Sequence, residues 1–397
     1  MFRIGKRQAL ERFKKIIRLF FSLQKIIRLS ANRKSPEPLP GDWRTNWKAW
    51  AGKLGIDSIG QDQKFPVIVR SADYCYSLLF KRKKKMRMNL NQRTVERPMS
   101  CSGLGVHSGK EVTLTIRPAP LNHGIKFVRA DLPDHPGISA HFNAVVDTSL
   151  ATVIGHNGYG FIVSTIEHIM AAFTGLSIDN AIVELDGYEI PIMDGSAGPF
   201  TSLIRSAGIA EQPGPRCFFV VKEPIELREN EKSVTLYPDS TFRITYTIEF
   251  PHPMIGKQSY SLEVSDGLFE SEISRARTFG FLYEIEYLRQ YGFARGGSLE
   301  NVVVLDEKSI LNTDGLRYPD EFVRHKILDC LGDFSLLGMP VLGHLVVNKS
   351  GHAFNHAFLK KFFTQKKSWD TLTVHDISCH HDTSCQADDF QPEAIAS

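Results

Sequence analysis

The densest run of chemistry-bearing residues in this chain is His325-Lys326-Ile327-Leu328-Asp329-Cys330-Leu331-Gly332-Asp333. His325, Asp329 and Asp333 are spaced four apart, so a helix sets them along one face, His325 and Asp329 within reach of a common point. The pair Glu167-His168 stands near the start of a second segment of helical pattern. Two imidazoles and a carboxylate are a donor set for a divalent metal, and a spare carboxylate beside them can act on water. That is the inventory of a catalytic zinc hydrolase.

Each element of it also has a plainer explanation. Ser164-Thr165-Ile166-Glu167 before an apolar run fits a helix capping box, with Glu167 bonding back to the first turn. His325 and Asp329 fit an i,i+4 ion pair on a solvated face. Phe322, Leu328, Leu331 and Leu336 weaken that alternative, because burying His and two Asp among them is costly unless they are paired or coordinated. Asp333 reads as a carboxylate orienting a ligand or catalytic His, or as a charge facing solvent. Lys349-Ser350-Gly351-His352 places a His on a glycine-flanked loop, a weak signal alone. Arg275 to Phe281 mixes basic, hydroxyl and aromatic groups, or simply joins a strand to a helix. Pro191 to Ala197 reads as a turn into a helix. Cys379-His380-His381 with Cys385 reads as part of a polar tail rather than a metal site.

The elements that must position these residues follow from periodicity and punctuation. Strands are expected at 93–102 and 111–117, joined by the glycine-rich connection Gly103 to Gly109, and at 142–147, 151–154 and 181–185. Helices are expected at 164–173, closed by Gly175, and at 197–207, stopped by Gly208. Gln212-Pro213-Gly214-Pro215 reads as an internal linker. Strands at 218–221, 233–238 and 243–250 follow, then a helix near 281–291, a strand at 302–305, the long helix 320–337 and a strand at 342–347. Two successive blocks of strands, each with a pair of helices, predict an α+β chain of two tandem domains, each a sheet with helices on one face. The boundaries are 89–212 and 217–373, followed by a polar tail at 374–397 that begins to lose pattern after about Trp369.

The chain's 397 residues give room for two or three domains and a sizeable core. A hydrophobic share of 42% with 23% charged residues excludes a disordered or collagenous chain. Six scattered cysteines without a CxxC pair argue against a disulfide framework and fit a reducing compartment. No apolar run is long enough to span a bilayer. Residues 1–88 hold 22 of the 48 Lys and Arg but 6 of the 44 Asp and Glu, so they carry about +16 and the rest about −12. Ile16, Ile17, Leu19, Phe20, Leu23, Ile26, Ile27 and Leu29 are interleaved there with basic residues, and Lys-Ile-Ile-Arg-Leu occurs twice. This fits a basic amphipathic helix on an anionic membrane or a targeting presequence. It fits equally a translation start at Met88, which the N-terminal mass of the native protein would decide.

Taken together, Gly105 to Gly109, Ser164 to His168, Ile190 to Ser196, Ser274 to Phe281, Asp320 to Asp333 and Lys349 to His352 resemble, in order and spacing, the zinc-dependent UDP-3-O-acyl-N-acetylglucosamine deacetylases of lipid A biosynthesis. The resemblance covers roughly Asn89 to Thr373. It implies two α+β domains whose helices pack together between the two sheets, with the site between them. It implies one zinc, which iron could replace in the cell, held by His168, His325 and Asp329, with water as nucleophile. It makes Glu167 the base, Thr278 a partner of the metal in stabilising the oxyanion, and His352 the acid for the leaving amine, held cationic by Asp333. Phe279 and Phe281 would border an apolar passage for the acyl chain, and Lys326 and Lys349 would face the diphosphate. A UDP-linked acylated glucosamine substrate, a monomer in the bacterial cytoplasm, no nucleic acid, and peripheral membrane contact through residues 1–88 complete the expectation. Ala151 departs from a Cys that many relatives carry there, which bears on binding of a second, inhibitory metal. Two rival readings are a zinc amidase for another acylated sugar and a non-catalytic membrane sensor with a remnant zinc site.

Overall fold

The computed structural model describes residues 89–155 and 160–373. The basic segment 1–88 and the Cys379-His380-His381 group lie outside the described residues. In the first half, β1 (Asn91–Val95) and β2 (Met99–Leu104) replace the single strand expected over 93–102. Pro98 lies between them and has no N–H to continue a ladder. Strands β3 (Glu111–Pro118), β4 (Ile125–Arg129), β5 (Gly137–Ser139) and β9 (Ala181–Leu185) join β2 in a five-stranded sheet ordered β2-β3-β9-β4-β5. Val112, Leu114 and Ile116 alternate inward along β3, the period-2 pattern of a sheet with one covered face. A three-stranded sheet, β6 (Val145–Asp147), β7 (Val153–Gly155) and β8 (Ile162–Val163), precedes helix α1 (Glu167–Gly175). Nearly all of α1 is buried, as its apolar run requires. Helix α2 (Gly198–Ala207) buries Phe200, Leu203, Ile204 and Ala207 on one stripe and stops at Gly208, whose φ of 78° suits glycine.

The expected linker at 212–215 is instead part of strand β10 (Ile209–Pro215), antiparallel to β1. Its prolines are tolerated because this two-stranded pair leaves both members as edges. The second sheet has seven strands: β11 (Cys217–Val221), β12 (Ile225–Glu229), β13 (Lys232–Tyr237), β14 (Phe242–Phe250), β15 (Gly256–Glu263), β18 (Val341–Asn348) and β19 (Trp369–Thr373). Strand β18 is central, antiparallel to β13 and parallel to β14 and β11. Where the sequence predicts a tail without pattern after Trp369, β19 pairs with β11. The indole of Trp369 anchors it, stacked on Phe362 at 5.2 Å and donating Nε1–H to the Phe362 carbonyl.

The second half also supplies α3 (Asp266–Glu272), the short parallel pair β16 (Phe279–Phe281) and β17 (Val303–Leu305), α4 (Leu282–Gln290), α5 (Glu321–Ser335) and α6 (His352–Thr364). Helices α1 and α5, one from each half, are in backbone contact: a Cβ built on Gly332 would lie 2.0 Å from the Glu167 carbonyl oxygen. Only glycine permits that approach. Phe334 of α5 then packs on Phe358 of α6 with ring centroids 5.5 Å apart. The described residues thus form an α+β fold in which the helices of two sheets meet, and the buried apolar residues of both halves are one contiguous core. None of the described helices is long and apolar enough to cross a membrane.

Candidate metal centre

The α1–α5 contact brings the two halves' chemistry together. His168 Nε2 lies 3.5 Å from Asp329 Oδ1, and His325 Nε2 lies 3.2 Å from the same oxygen. One ligand atom from each of the three residues falls within 4.8 Å of the others. Ligands at about 2.0–2.1 Å in a tetrahedron stand about 3.3 Å apart, so these separations suit a divalent ion of zinc's size. The histidine rings are edge-on, 88° apart with centroids at 5.1 Å. The Nδ1–H of His325 donates to the Ala276 carbonyl at 3.1 Å, which leaves Nε2 with a free lone pair. Two imidazoles and a carboxylate, oriented this way, fit zinc or iron(II).

All of these side chains are inside. His325 is 1% exposed, and His168, Asp329 and Glu167 are each 4% exposed, which removes the solvated ion pair as an explanation. Burial alone would push Asp329 toward its neutral form, but His325 and Lys326 hold its carboxyl well below the usual range. Lys326 Nζ donates to Asp329 Oδ2 at 2.7 Å and lies over the Phe279 ring, 5.7 Å from its centroid.

Glu167 is the first residue of α1, not its third, and Ile166 precedes it as the cap position. The capping box is therefore absent. Ser164 lies in extended pairing instead, with its N–H on the Tyr188 carbonyl and its own carbonyl accepting from Ile190. Thr165 then turns the chain through a left-handed φ of 61°, a strained conformation that sets the direction in which α1 starts. The Glu167 carboxylate accepts the Thr152 N–H at 3.1 Å. Burial raises its pKa to about 7, the positive charge on His352 opposing and the Asp329 and Asp333 carboxylates reinforcing.

His352 is not on a loop; it is the first residue of α6. Its Nε2 is 3.8 Å from Glu167 Oε1 and its Nδ1 is 2.9 Å from Asp333 Oδ2. Burial would lower its pKa, but Asp333 and Glu167 outweigh that and lift it to about 10. Asp333 in turn accepts from Thr152 Oγ1 at 2.6 Å and from Asn355 Nδ2 at 2.8 Å. Thr152 and Asn355 escape sequence reasoning. Asn355 shares a face with His352 only once 352–364 is a helix, and Thr152 reaches Asp333 across 181 positions of chain.

The remaining candidates are spread around this centre. Thr278 is half-buried and fixed through its backbone, N–H to Gly195 and C=O from Val303. Phe279 packs edge-on to His325 at 6.3 Å and to Phe322 at 5.0 Å. Phe281 contacts Phe250, His252 and Tyr283. Lys349 is tied at 2.6 Å and 2.8 Å to Glu249 and Glu231. Ala151 is buried beside Thr152.

A buried two-histidine, one-carboxylate centre with an adjoining carboxylate and a charged imidazole is the arrangement of a metal-dependent hydrolase. The chain belongs to the UDP-3-O-acyl N-acetylglycosamine deacetylase family, whose sequence profile matches residues 92–364. It is 54% identical over 282 residues to the UDP-3-O-acyl-N-acetylglucosamine deacetylase of Myxococcus xanthus (strain DK1622), covering 71% of this chain and 89% of that protein. Proteins of the same name from Syntrophus aciditrophicus (strain SB) and Idiomarina loihiensis (strain ATCC BAA-735 / DSM 15497 / L2-TR) are 49% and 48% identical. Those alignments cover 73% and 72% of this chain and 91% and 94% of the relatives.

Proposed function

We propose that this protein hydrolyses the N-acetyl group of UDP-3-O-(3-hydroxyacyl)-N-acetylglucosamine, yielding acetate and the free amine, a step of lipid A biosynthesis. Membership of the family across residues 92–364, together with the convergence of Glu167, His168, His325, Asp329 and His352, carries this reading. The residues 89–212 and 217–373 act as two domains that share the site.

His168, His325 and Asp329 hold the metal, taken here as zinc, with iron(II) able to occupy the same donors. Bound there, the ion supplies Lewis acidity toward the amide carbonyl and lowers the pKa of water. Glu167 accepts the proton of the water that adds to the carbonyl carbon, a task suited to a carboxylate whose pKa lies near neutrality. Thr278 donates its hydroxyl hydrogen to the oxygen that becomes negative. His352 enters the reaction protonated, because Asp333 holds the charge on Nδ1, and gives its Nε2 proton to the departing nitrogen. The C–N bond breaks as that proton arrives, so the nitrogen leaves as neutral amine and the carbonyl fragment as acetic acid, which ionises to acetate by giving its remaining proton to solvent.

Phe279 and Phe281 form the apolar side toward the acyl chain, and Lys326 lies on the nucleotide side. Lys349 serves the diphosphate only by leaving Glu231 and Glu249. The protein acts as a monomer in the bacterial cytoplasm, with residues 1–88 as the part able to meet a membrane. Purified protein given the UDP-sugar should release acetate in equal amount to free amine. Release from other N-acetylated sugars but not from this one overturns the substrate assignment.

A further inference from the structure

Behind the metal centre lies a fully buried ion pair. Arg277 and Glu321 are 1% and 0% exposed, and the guanidinium meets the carboxylate at 2.9 Å and 3.2 Å. Removing two charges from water is costly, and such a pair is weak evidence for stability by itself. Its position suggests another use. Glu321 opens α5, one turn before His325. Its Oε1 also accepts the backbone N–H of Arg277 at 2.9 Å. The carbonyl at the other end of that same peptide group, Ala276 C=O, accepts Nδ1–H of His325. One peptide plane therefore joins the Glu321 carboxylate to a candidate metal ligand.

We propose that Glu321 is a positioning residue for the metal, acting on His325 through the Ala276–Arg277 peptide, with Arg277 holding the carboxylate in place. A negative charge at the peptide N–H polarises the group and makes its carbonyl a stronger acceptor, since linked hydrogen bonds reinforce one another. The stronger acceptor fixes His325 as the Nδ1–H tautomer and fixes the orientation of its ring, the effect a carboxylate has when it bonds a ligand histidine directly. Arg277 supplies two further donations, to Asp314 and to the Gly315 carbonyl, so the guanidinium that holds the carboxylate is itself fixed. Arg317 N–H completes its shell at 2.6 Å.

This inference rests on His325 being a metal ligand. Glu321→Gln keeps the size and removes the charge. Its zinc affinity, read by chelator competition, should fall about tenfold while circular dichroism and the unfolding midpoint report a folded chain. Nitrogen NMR should show His325 no longer held as a single tautomer. A folded Glu321→Gln protein with wild-type zinc affinity and an unchanged His325 tautomer overturns the proposal. Should the variant fail to fold, the wild-type chain decides: zinc titration should move the Arg277 amide proton together with the His325 ring nitrogens. Movement of the ring nitrogens alone overturns it. Wild-type protein that takes up no zinc at all is a separate failure, that of the metal centre itself.

Discussion

Gly332 and Glu167 touch backbone to backbone: the space a Cβ would need on α5 is filled by the carbonyl oxygen that begins α1. This contact sets the distance between the helix carrying Glu167 and His168 and the helix carrying His325, Asp329 and Asp333. Gly332→Ala should therefore do more than crowd the core. Overpacking of this kind costs about 1–3 kcal/mol, seen as a lower unfolding midpoint. Because the helices must separate, deacetylation should fall further than stability does, with weaker zinc binding. Wild-type zinc affinity in a destabilised Gly332→Ala protein would detach this contact from the site.

Glu167→Gln separates chemistry from architecture. Glu167 does not cap α1 through a box and is not one of the three clustered ligands, so the variant should fold and bind zinc normally. Its kcat should drop by about 10²–10⁴, the usual contribution of a general base. A variant that retains wild-type kcat assigns the proton transfer elsewhere.

The Asp333–His352 pair predicts a pH dependence of defined sign. With the His352 pKa raised to about 10 in the folded chain, the cation is available as the proposed acid below that pH and is lost above it. The alkaline limb of the kcat/KM profile should shift to lower pH in Asp333→Asn, because the carboxylate that holds the proton is gone. For metal-free protein the same pair acts on stability. His352 is protonated more tightly when folded than when unfolded, so its contribution is complete below about pH 6.5 and is lost as pH rises through about 10. Asp333→Asn should flatten that decline in a titration of the unfolding midpoint.

Much of this centre is readable from the chain because helical spacing is local. The face shared by His325, Asp329 and Asp333 follows from 3.6 residues per turn, and the adjacency of Glu167 and His168 survives any helix start. What fails is information carried by distant pairing. Ser164 looks like a cap, yet its partners are Tyr188 and Ile190 across a strand bridge. Gly351 before His352 looks like a loop, yet the chain turns there directly into α6. The stretch 212–215 looks like a linker until β1 is present to pair with it. Thr152, Asn355 and Glu321 act through contacts that no local pattern encodes.

Metal removal offers a test that needs no substrate. A ligand that binds only the folded state stabilises it by mass action, about 2.7 kcal/mol when present at a hundred times its dissociation constant. Chelation should thus lower the unfolding midpoint of the wild-type protein. It should leave His168→Ala unaffected, since that variant has little zinc to lose. Equal midpoints for metal-loaded and chelated wild-type protein would speak against the centre.

Loss of the ion proposed to sit on His168, His325 and Asp329 should abolish acetate release. Zinc content and acetate release should be measured on the same preparations of the wild-type chain and Asp329→Ala. The wild type should carry about one zinc per chain, matching the single three-residue cluster among the described residues, and turn over the UDP-sugar. Asp329→Ala should be folded, hold little zinc and release acetate slowly or not at all. Full activity in protein stripped of metal, or an Asp329→Ala chain that keeps both its zinc and its rate, would remove these three residues from the reaction.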